Sequence, residues 1–230
     1  MKFVLNIRHR PTMDETIEAC FERFVGVMRQ VQVPWGVVPG KELTLPPVGA
    51  GLSTTTQLRN KLGTGITGRA TFSYRAQANL RDVASHDDSL VVEFDARKKD
   101  WRDLVCIALP SYVHAMCAYV GSVYRWEESS DEWEKSSAIS RSTGKDIDGR
   151  DGFFRIGPLS FMDRELCRRG CNGMTPEQIV VKLTGTVPDV RLFEDGVLIV
   201  AADHFPEQRE IIATDRAIRE RLGLPVWSGE

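Results

Sequence analysis

A predicted β-hairpin constrains the fold of this chain more than any other feature. Residues 190–203 read VRLFEDGVLIVAAD, two apolar runs joined through Asp195-Gly196, and this dipeptide favours tight turns between antiparallel strands. Two further strands are predicted at 68–76 and 89–96, where apolar and β-branched residues dominate. Because such neighbouring strands do not fit the strict strand–helix alternation of a parallel sheet, the sequence predicts an α+β fold with antiparallel sheets flanked by helices.

Helical patterns separate the strands of the first half. After an alternating strand signal at 3–7, the sequence TMDE predicts a capping box in which Thr12 caps a helix and Glu15 reaches back. Apolar residues at helical spacing extend this helix to near Gln30. A second helical pattern contains Pro110, which must kink or split it.

The second half repeats this order of elements. A strand at 153–163 is broken by Gly157-Pro158, and a short helix ends at Gly170. Thr175 then caps a helix, and a last helix runs from Pro206 to Gly223. Both halves therefore predict strand, helix, strand, strand, helix, which suggests two similar β-α-β-β-α lobes; a duplication and a coincidence would both produce this pattern.

Glycine, proline and serine mark the boundaries of the predicted lobes. At 230 residues the chain is long enough for one large domain or two small lobes. We predict an N-terminal α+β lobe at 1–135 with a long Pro/Gly loop at 32–68, a polar linker or loop at 136–152, and a C-terminal α+β lobe at 153–230.

Charge and cysteine content limit the class of partner. With 30 basic and 32 acidic side chains, the chain lacks the positive field on which direct nucleic-acid binding depends. No apolar run reaches membrane-spanning length, and the opening MKFVLNIRHRP does not match a signal peptide. The five cysteines are odd in number and scattered, as expected of reduced thiols. The sequence predicts a cytoplasmic protein that binds neither nucleic acid nor a membrane.

Motifs for catalysis or metal binding are missing from the sequence. GTGITG, at 63–68, matches a dinucleotide fingerprint but precedes a strand instead of a helix, so we interpret it as a turn. No Ser or Cys lies in a catalytic motif, and the histidines and cysteines lack metal-ligand spacing. We therefore predict a protein that is not an enzyme and has no catalytic, cofactor-binding or metal-binding residues. The histidines and the closest cysteine pair are His9, His86, His114, His204, Cys167 and Cys171.

Four segments of the chain resemble a known family. The stretch GRDGFFRIGPLSFMDRELCRRG (149–170), followed by MTPEQIVVKL and EDGVLIVAAD, is similar to the immunity protein 52 family of bacterial toxin–immunity systems, and so is the opening FVLNIRHRP. The resemblance implies a cytoplasmic antitoxin that binds a nuclease domain of restriction-endonuclease fold, such as that of a type VI secretion DNase effector. The resemblance does not assign a functional role to any residue of this chain.

The stretch YRWEESSDEWEKSS gathers acidic residues between two tryptophans. A charge run is usually a solvated face. Alternatively, the carboxylates steer a basic partner towards the protein while the indoles supply buried area. Because a nuclease groove is basic, we predict that this segment binds the toxin. Trp35, in the Pro/Gly loop, is either a further anchor or a lid over the core. The predicted toxin-binding residues are Trp126, Glu127, Glu128, Asp131, Glu132, Trp133, Glu134 and Trp35.

The predicted function is that of an immunity protein that binds and neutralises a cognate nuclease toxin by blocking its DNA-binding or active-site surface. A non-catalytic scaffold or adaptor for another partner is an alternative, and a small-molecule enzyme with an unrecognised site is a third. The missing motifs favour a binding protein over an enzyme. Only the family resemblance separates an immunity protein from a scaffold.

Overall fold

The computed structural model describes residues 1–47, 53–75, 84–147 and 149–226. These residues form the predicted α+β fold, in which antiparallel strands are flanked by helices. The chain divides into two compact units, Met1–Gly121 and Ser122–Glu230. Across the described ranges, every helix is too short or too polar to cross a membrane.

Four antiparallel strands form the sheet of the first unit in the order β2-β3-β4-β1. Alternation of side chains places Leu90, Val92 and Phe94 of β4 in the core. Phe3 pairs with Phe94 across the sheet, and their rings stack with centroids 6.2 Å apart. The strands are β1 (Lys2–His9), β2 (Ser53–Gln57), β3 (Ile66–Ser73) and β4 (Asp88–Asp95).

The helices of the first unit are α1 (Ile17–Gln30), α2 (Trp101–Asp103) and α3 (Leu109–Met116). The five residues Leu104–Ala108, between α2 and α3, are π-helical. Pro110 lies in the first turn of α3, directly after this π-helical segment, and has no N–H group to donate to it. The predicted interruption near Pro110 is therefore present as a π-helical segment.

Two expectations for the first unit are wrong. Helix α1 begins at Ile17 with Thr16 as its cap, whereas Thr12 was the expected cap, because Glu15 hydrogen-bonds His9 instead of completing a capping box. The expected loop at 32–68 contains strand β2 and the start of β3. The sequence of β2, STTTQ, has no alternation of apolar and polar residues, although Thr54 and Thr56 are buried and donate hydrogen bonds to backbone carbonyl oxygens. Residues 48–52 of this loop lie outside the described residues.

The second unit has strands in the order β5-β6-β8-β7. Strands β6, β8 and β7 are antiparallel. Its strands are β5 (Val120–Arg125, which starts at the end of the first unit), β6 (Leu159–Asp163), β7 (Asp189–Phe193) and β8 (Gly196–Val200). Its helices are α4 (Ser129–Thr143), α5 (Arg164–Gly170), α6 (Pro176–Leu183) and α7 (Gln208–Leu222).

The predicted hairpin is confirmed as β7 and β8. Its turn lies at Glu194-Asp195, one residue before the predicted dipeptide, and Glu194 takes a left-handed φ of 47°. Gly196 is instead the first residue of β8. A Cβ atom there would lie 2.1 Å from the carbonyl oxygen of Met162, so only glycine fits. The predicted cap of α6 is also confirmed, because Thr175 and Gln178 form a capping box.

The second unit differs from the prediction in two places. Residues 136–143 belong to α4, where a polar linker or loop was expected, because the few apolar residues of this helix hid its pattern. The expected strand at 153–158 is absent, and β6 begins at Leu159. Side chains satisfy the backbone there: Arg219 donates to the carbonyl oxygens of Phe153 and Phe154, and Asp215 accepts from the Ile156 amide.

Candidate functional site

The predicted toxin-binding segment folds as a 3-10 turn followed by helix α4. The turn spans Trp126–Glu128. Asp131 and Glu132 lie in the first turn of α4 and Arg141 lies in its last turn. This order complements the helix dipole, because negative charge near the N-terminus and positive charge near the C-terminus both stabilise a helix. The acidic first turn and the basic last turn therefore stabilise α4, which has little apolar surface.

The inner face of α4 is held by an ion pair and carries a buried serine. Arg155 donates from Nε to the carboxylate of Glu132 and also lies 3.5 Å from the carboxylate of Asp215. Ser136, one turn after Glu132, is buried, and its hydroxyl donates to the carbonyl oxygen of Trp133. Glu132 was predicted as a toxin-binding carboxylate, but only 19% of its side chain is exposed and its partner is Arg155. Its role in this structure is to hold α4 in place.

The outer face of α4 carries Asp131, Trp133 and Glu134. All three are exposed, and Trp133 is 67% exposed. At about 100° per residue these side chains span about 160° of the helix circumference, opposite Glu132 and Ser136. Within the described part of the chain, neither Asp131 nor Glu134 forms an ion pair. We call these three residues the outer face of α4.

The turn before α4 adds a second aromatic residue. Trp126 is 46% exposed. The neighbouring Glu127 is about half exposed, and its carboxylate lies 3.7 Å from Nε of Arg125. Arg125 also pairs with Glu207 at 2.7 Å, so the charge of Glu127 is only partly compensated. The side chain of Glu128 lies outside the described residues.

Trp35 lies in the core and not at a surface. Only 1% of the residue is exposed, and its ring packs edge-on against Phe94 at 5.1 Å. Its carbonyl oxygen accepts a hydrogen bond of 2.6 Å from the Tyr112 hydroxyl. The prediction that Trp35 contacts the toxin is therefore wrong for this conformation, and the alternative of a lid over the core describes its place.

A second cluster, which the sequence analysis missed, joins His9, Glu15 and Cys20. One potential ligand atom from each residue lies within 4.8 Å of the other two. His9 ends β1, Glu15 precedes α1, and Cys20 lies in its first turns. Both His9 and Cys20 occupy inward positions, the first in the alternation of β1 and the second on the buried stripe of α1. That shared inward position is the only sequence signal that pointed to the cluster.

Burial and charge act on this cluster together. Burial alone would raise the pKa of the Glu15 carboxyl, but the hydrogen bond from His9 and the charges of His9, Arg23 and Arg75 hold that pKa below its usual value. Burial raises the pKa of the Cys20 thiol, although the contact from Arg75 opposes this. Glu15 is therefore an anion beside a largely protonated thiol.

Comparison with known proteins identifies no family for this chain. No family model matches the chain, and no curated protein matches it. A solved structure of the T6SS protein PA0821 from Pseudomonas aeruginosa is 15% identical over 96% of this chain and 72% of that chain, with a TM-score of 0.49. This likeness is too weak to carry an argument about function.

Proposed function

We propose that this protein is an immunity protein that neutralises a bacterial nuclease toxin, such as a type VI secretion DNase effector, and that the outer face of α4 lies in the contact surface. The observation that carries the proposal is the exposed Trp133 on one helix face beside two carboxylates, Asp131 and Glu134, that form no ion pair with the described residues. The resemblance of four sequence segments to the immunity protein 52 family supports the choice of partner.

Charge complementarity explains why such a face would suit a nuclease. A DNA-binding groove is positively charged because it binds phosphate. The whole chain carries a formal net charge of only −2, so a local acidic face is needed to attract that groove. Exposed carboxylates act mainly on the association rate, and salt screens their effect over a Debye length of about 10 Å at 0.1 M.

Trp133 would supply most of the affinity of this face. A tryptophan buries up to about 250 Å², and with 67% of Trp133 exposed about 170 Å² remains for a partner to cover. At about 25 cal/mol per Å² this area contributes about 4 kcal/mol before the costs of association are subtracted. A net loss of about 2 kcal/mol on replacement by alanine is therefore expected, in the range of a binding hot spot.

The proposal assigns no catalytic step to this chain. Binding alone neutralises the toxin, because an occupied groove excludes DNA. A scaffold would use the same kind of surface for another partner. Identification of the partner is therefore the decisive test.

The test begins with the protein and the nuclease encoded beside it. We expect the two to elute as one complex, and cells that carry this protein to survive induction of that toxin but not of an unrelated one. If no complex forms and cells die as quickly as controls, the immunity function is wrong.

Two variants test the role of the outer face of α4. Asp131→Asn with Glu134→Gln should slow association and flatten its dependence on salt, whereas Trp133→Ala should speed dissociation about thirtyfold. The matched control for charge is Glu18→Gln with Glu22→Gln, which removes two exposed carboxylates from α1. Association rates that are equal in the two double variants at every salt concentration, measured by stopped flow, would show that α4 is ordinary surface.

A further inference from the structure

We infer that His9, Glu15 and Cys20 form a binding site for a divalent transition-metal ion, and that Zn²⁺ fits the ligand set best. Imidazole nitrogen, carboxylate oxygen and thiolate sulfur are the three ligand types that Zn²⁺ takes in proteins. The inference is independent of toxin binding, and it differs from the sequence-based prediction of no metal-binding residue.

His9 is already oriented as a metal ligand. Its Nδ1 lies 2.9 Å from the carbonyl oxygen of Cys117, which can only accept a hydrogen bond, so Nδ1 carries a proton. Nε2 then faces the cluster, 2.8 Å from Glu15. A backbone carbonyl that fixes the ring through one nitrogen and leaves the other for the metal is a common arrangement around zinc.

The spacing of the three side chains is close to tetrahedral coordination. Bond lengths of about 2.0 Å to nitrogen and oxygen and about 2.3 Å to sulfur place the ligand atoms about 3.3–3.6 Å apart. The atoms of the cluster lie within 4.8 Å of one another. Side-chain rotations that move the ligand atoms by about 1 Å are sufficient. They bring the Cys20 sulfur closer to the other two ligands and separate the Glu15 carboxylate from His9.

The ligand charges balance a metal ion, and Arg23, 3.6 Å from one carboxylate oxygen of Glu15, is a further positive charge at the edge of the cluster. The Glu15 carboxylate and a Cys20 thiolate together neutralise Zn²⁺. When the metal binds, both the Cys20 thiol proton and the Nε2 proton that His9 donates to Glu15 leave to solvent. Arg75 lies 3.5 Å from the Cys20 sulfur, where its N–H group stabilises a thiolate. The Asp88 carboxylate accepts hydrogen bonds of 2.8 and 2.6 Å from the two terminal nitrogens of that guanidinium. Arg75 therefore adds no uncompensated positive charge.

Solvent reaches the cluster from one side. His9 and Cys20 are buried, but 26% of the Glu15 side chain is exposed. A water molecule therefore completes the coordination next to Glu15. Because the ligands come from the end of β1, the turn after it and the start of α1, the bound ion would join these three segments and stabilise the first unit.

Cobalt titration tests the site directly. Full-length protein, stripped with a chelator, should bind one equivalent of Co²⁺ with the charge-transfer absorption of a thiolate ligand, and Zn²⁺ should abolish that band. Cys20→Ser should lose the band, and Glu15→Gln should keep it while binding Zn²⁺ more weakly, because it loses one negatively charged ligand. Cys106→Ser, which removes an exposed thiol outside the cluster, is the matched control and should behave as wild type.

Thermal unfolding keeps the inference testable if Cys20→Ser does not fold. Free Zn²⁺ at about 100 times its Kd should raise the melting temperature of the wild-type protein by about 5–10 °C, and a chelator should reverse the rise. The inference is overturned if wild-type protein gives no thiolate band, if the band survives in Cys20→Ser but disappears in Cys106→Ser, or if Zn²⁺ leaves the melting temperature unchanged.

Discussion

Replacing Asp215 by asparagine is expected to destabilise the second unit more than any surface substitution. Asp215 is 4% exposed, and one of its carboxylate oxygens accepts from Nε of Arg219 and from the amide of Ile156, both at 2.8 Å. Arg155 lies 3.5 Å from the other oxygen. Arg219 itself is 1% exposed, so its charge has little access to water.

The magnitude follows from the loss of charge alone, since asparagine keeps the shape and one acceptor oxygen. Two unit charges about 4 Å apart interact by about 4 kcal/mol at an effective dielectric constant of 20. Breaking a buried pair by removing one partner costs about 3–5 kcal/mol. We expect about 3 kcal/mol, and a fall in melting temperature of about 6–12 °C for a chain of this length.

Urea unfolding followed by far-ultraviolet circular dichroism measures the free energy of unfolding. Glu220→Gln is the matched control, because it removes one negative charge from an exposed position on the same helix and should change stability by at most about 0.5 kcal/mol. If Asp215→Asn unfolds at the same urea concentration as Glu220→Gln, the buried pair does not stabilise the unit and the electrostatic argument is refuted.

A second substitution separates the pair from its surroundings. Arg219→Met added to Asp215→Asn removes the uncompensated charge, so it should recover part of the lost stability. Recovery should be incomplete, because Arg219 also donates to the carbonyl oxygens of Phe153, Phe154 and Pro225, which methionine leaves unsatisfied. Full recovery would mean that these three hydrogen bonds contribute nothing.

Two further predictions concern thiols and helix capping. Burial raises the pKa of the Cys171 thiol to about 12 and that of the Cys167 thiol further, so both carry very little thiolate at pH 8. A thiol reagent should therefore label Cys167 and Cys171 only in urea. In native protein it should label the exposed Cys106 and Cys117. Mass spectrometry after a timed pulse identifies the labelled residues, and rapid native labelling of Cys171 would contradict the buried placement. Thr175→Ala removes the side-chain oxygen that caps α6 and should cost about 1 kcal/mol in urea unfolding; an unchanged midpoint would show that the capping box is not needed.

Elements whose residues follow a strong local pattern were predictable from the sequence. The hairpin of β7 and β8 and the cap of α6 depend on contacts within a few residues. Strand β2 was not predictable, because its buried residues Thr54 and Thr56 bond the carbonyl groups of residues 46 and 44 and leave no apolar alternation. Helix α4 was missed for a related reason, since a helix held by an ion pair shows no apolar stripe.

The candidate sites were only partly predictable, because their contacts depend on distant segments. The sequence located the acidic tryptophan segment, but it did not reveal that Glu132 turns inward to Arg155 or that Trp35 is buried. His9 and Cys20 were each visible as inward residues. The two side chains come together because of the turn between β1 and α1, and no known sequence spacing of metal ligands predicts that turn.

The polar attachment of α4 has a consequence for how such a protein can diverge. Glu132 holds the helix through Arg155, whereas Asp131, Trp133 and Glu134 contribute almost nothing to the core. Substitutions at Trp133 and Glu134 therefore leave folding almost unaffected, and a substitution at Asp131 loses only its small interaction with the helix dipole, so these positions could change together with a partner. New recognition specificities could accumulate on this helix through single substitutions, each of small effect on stability, while the second unit keeps its fold.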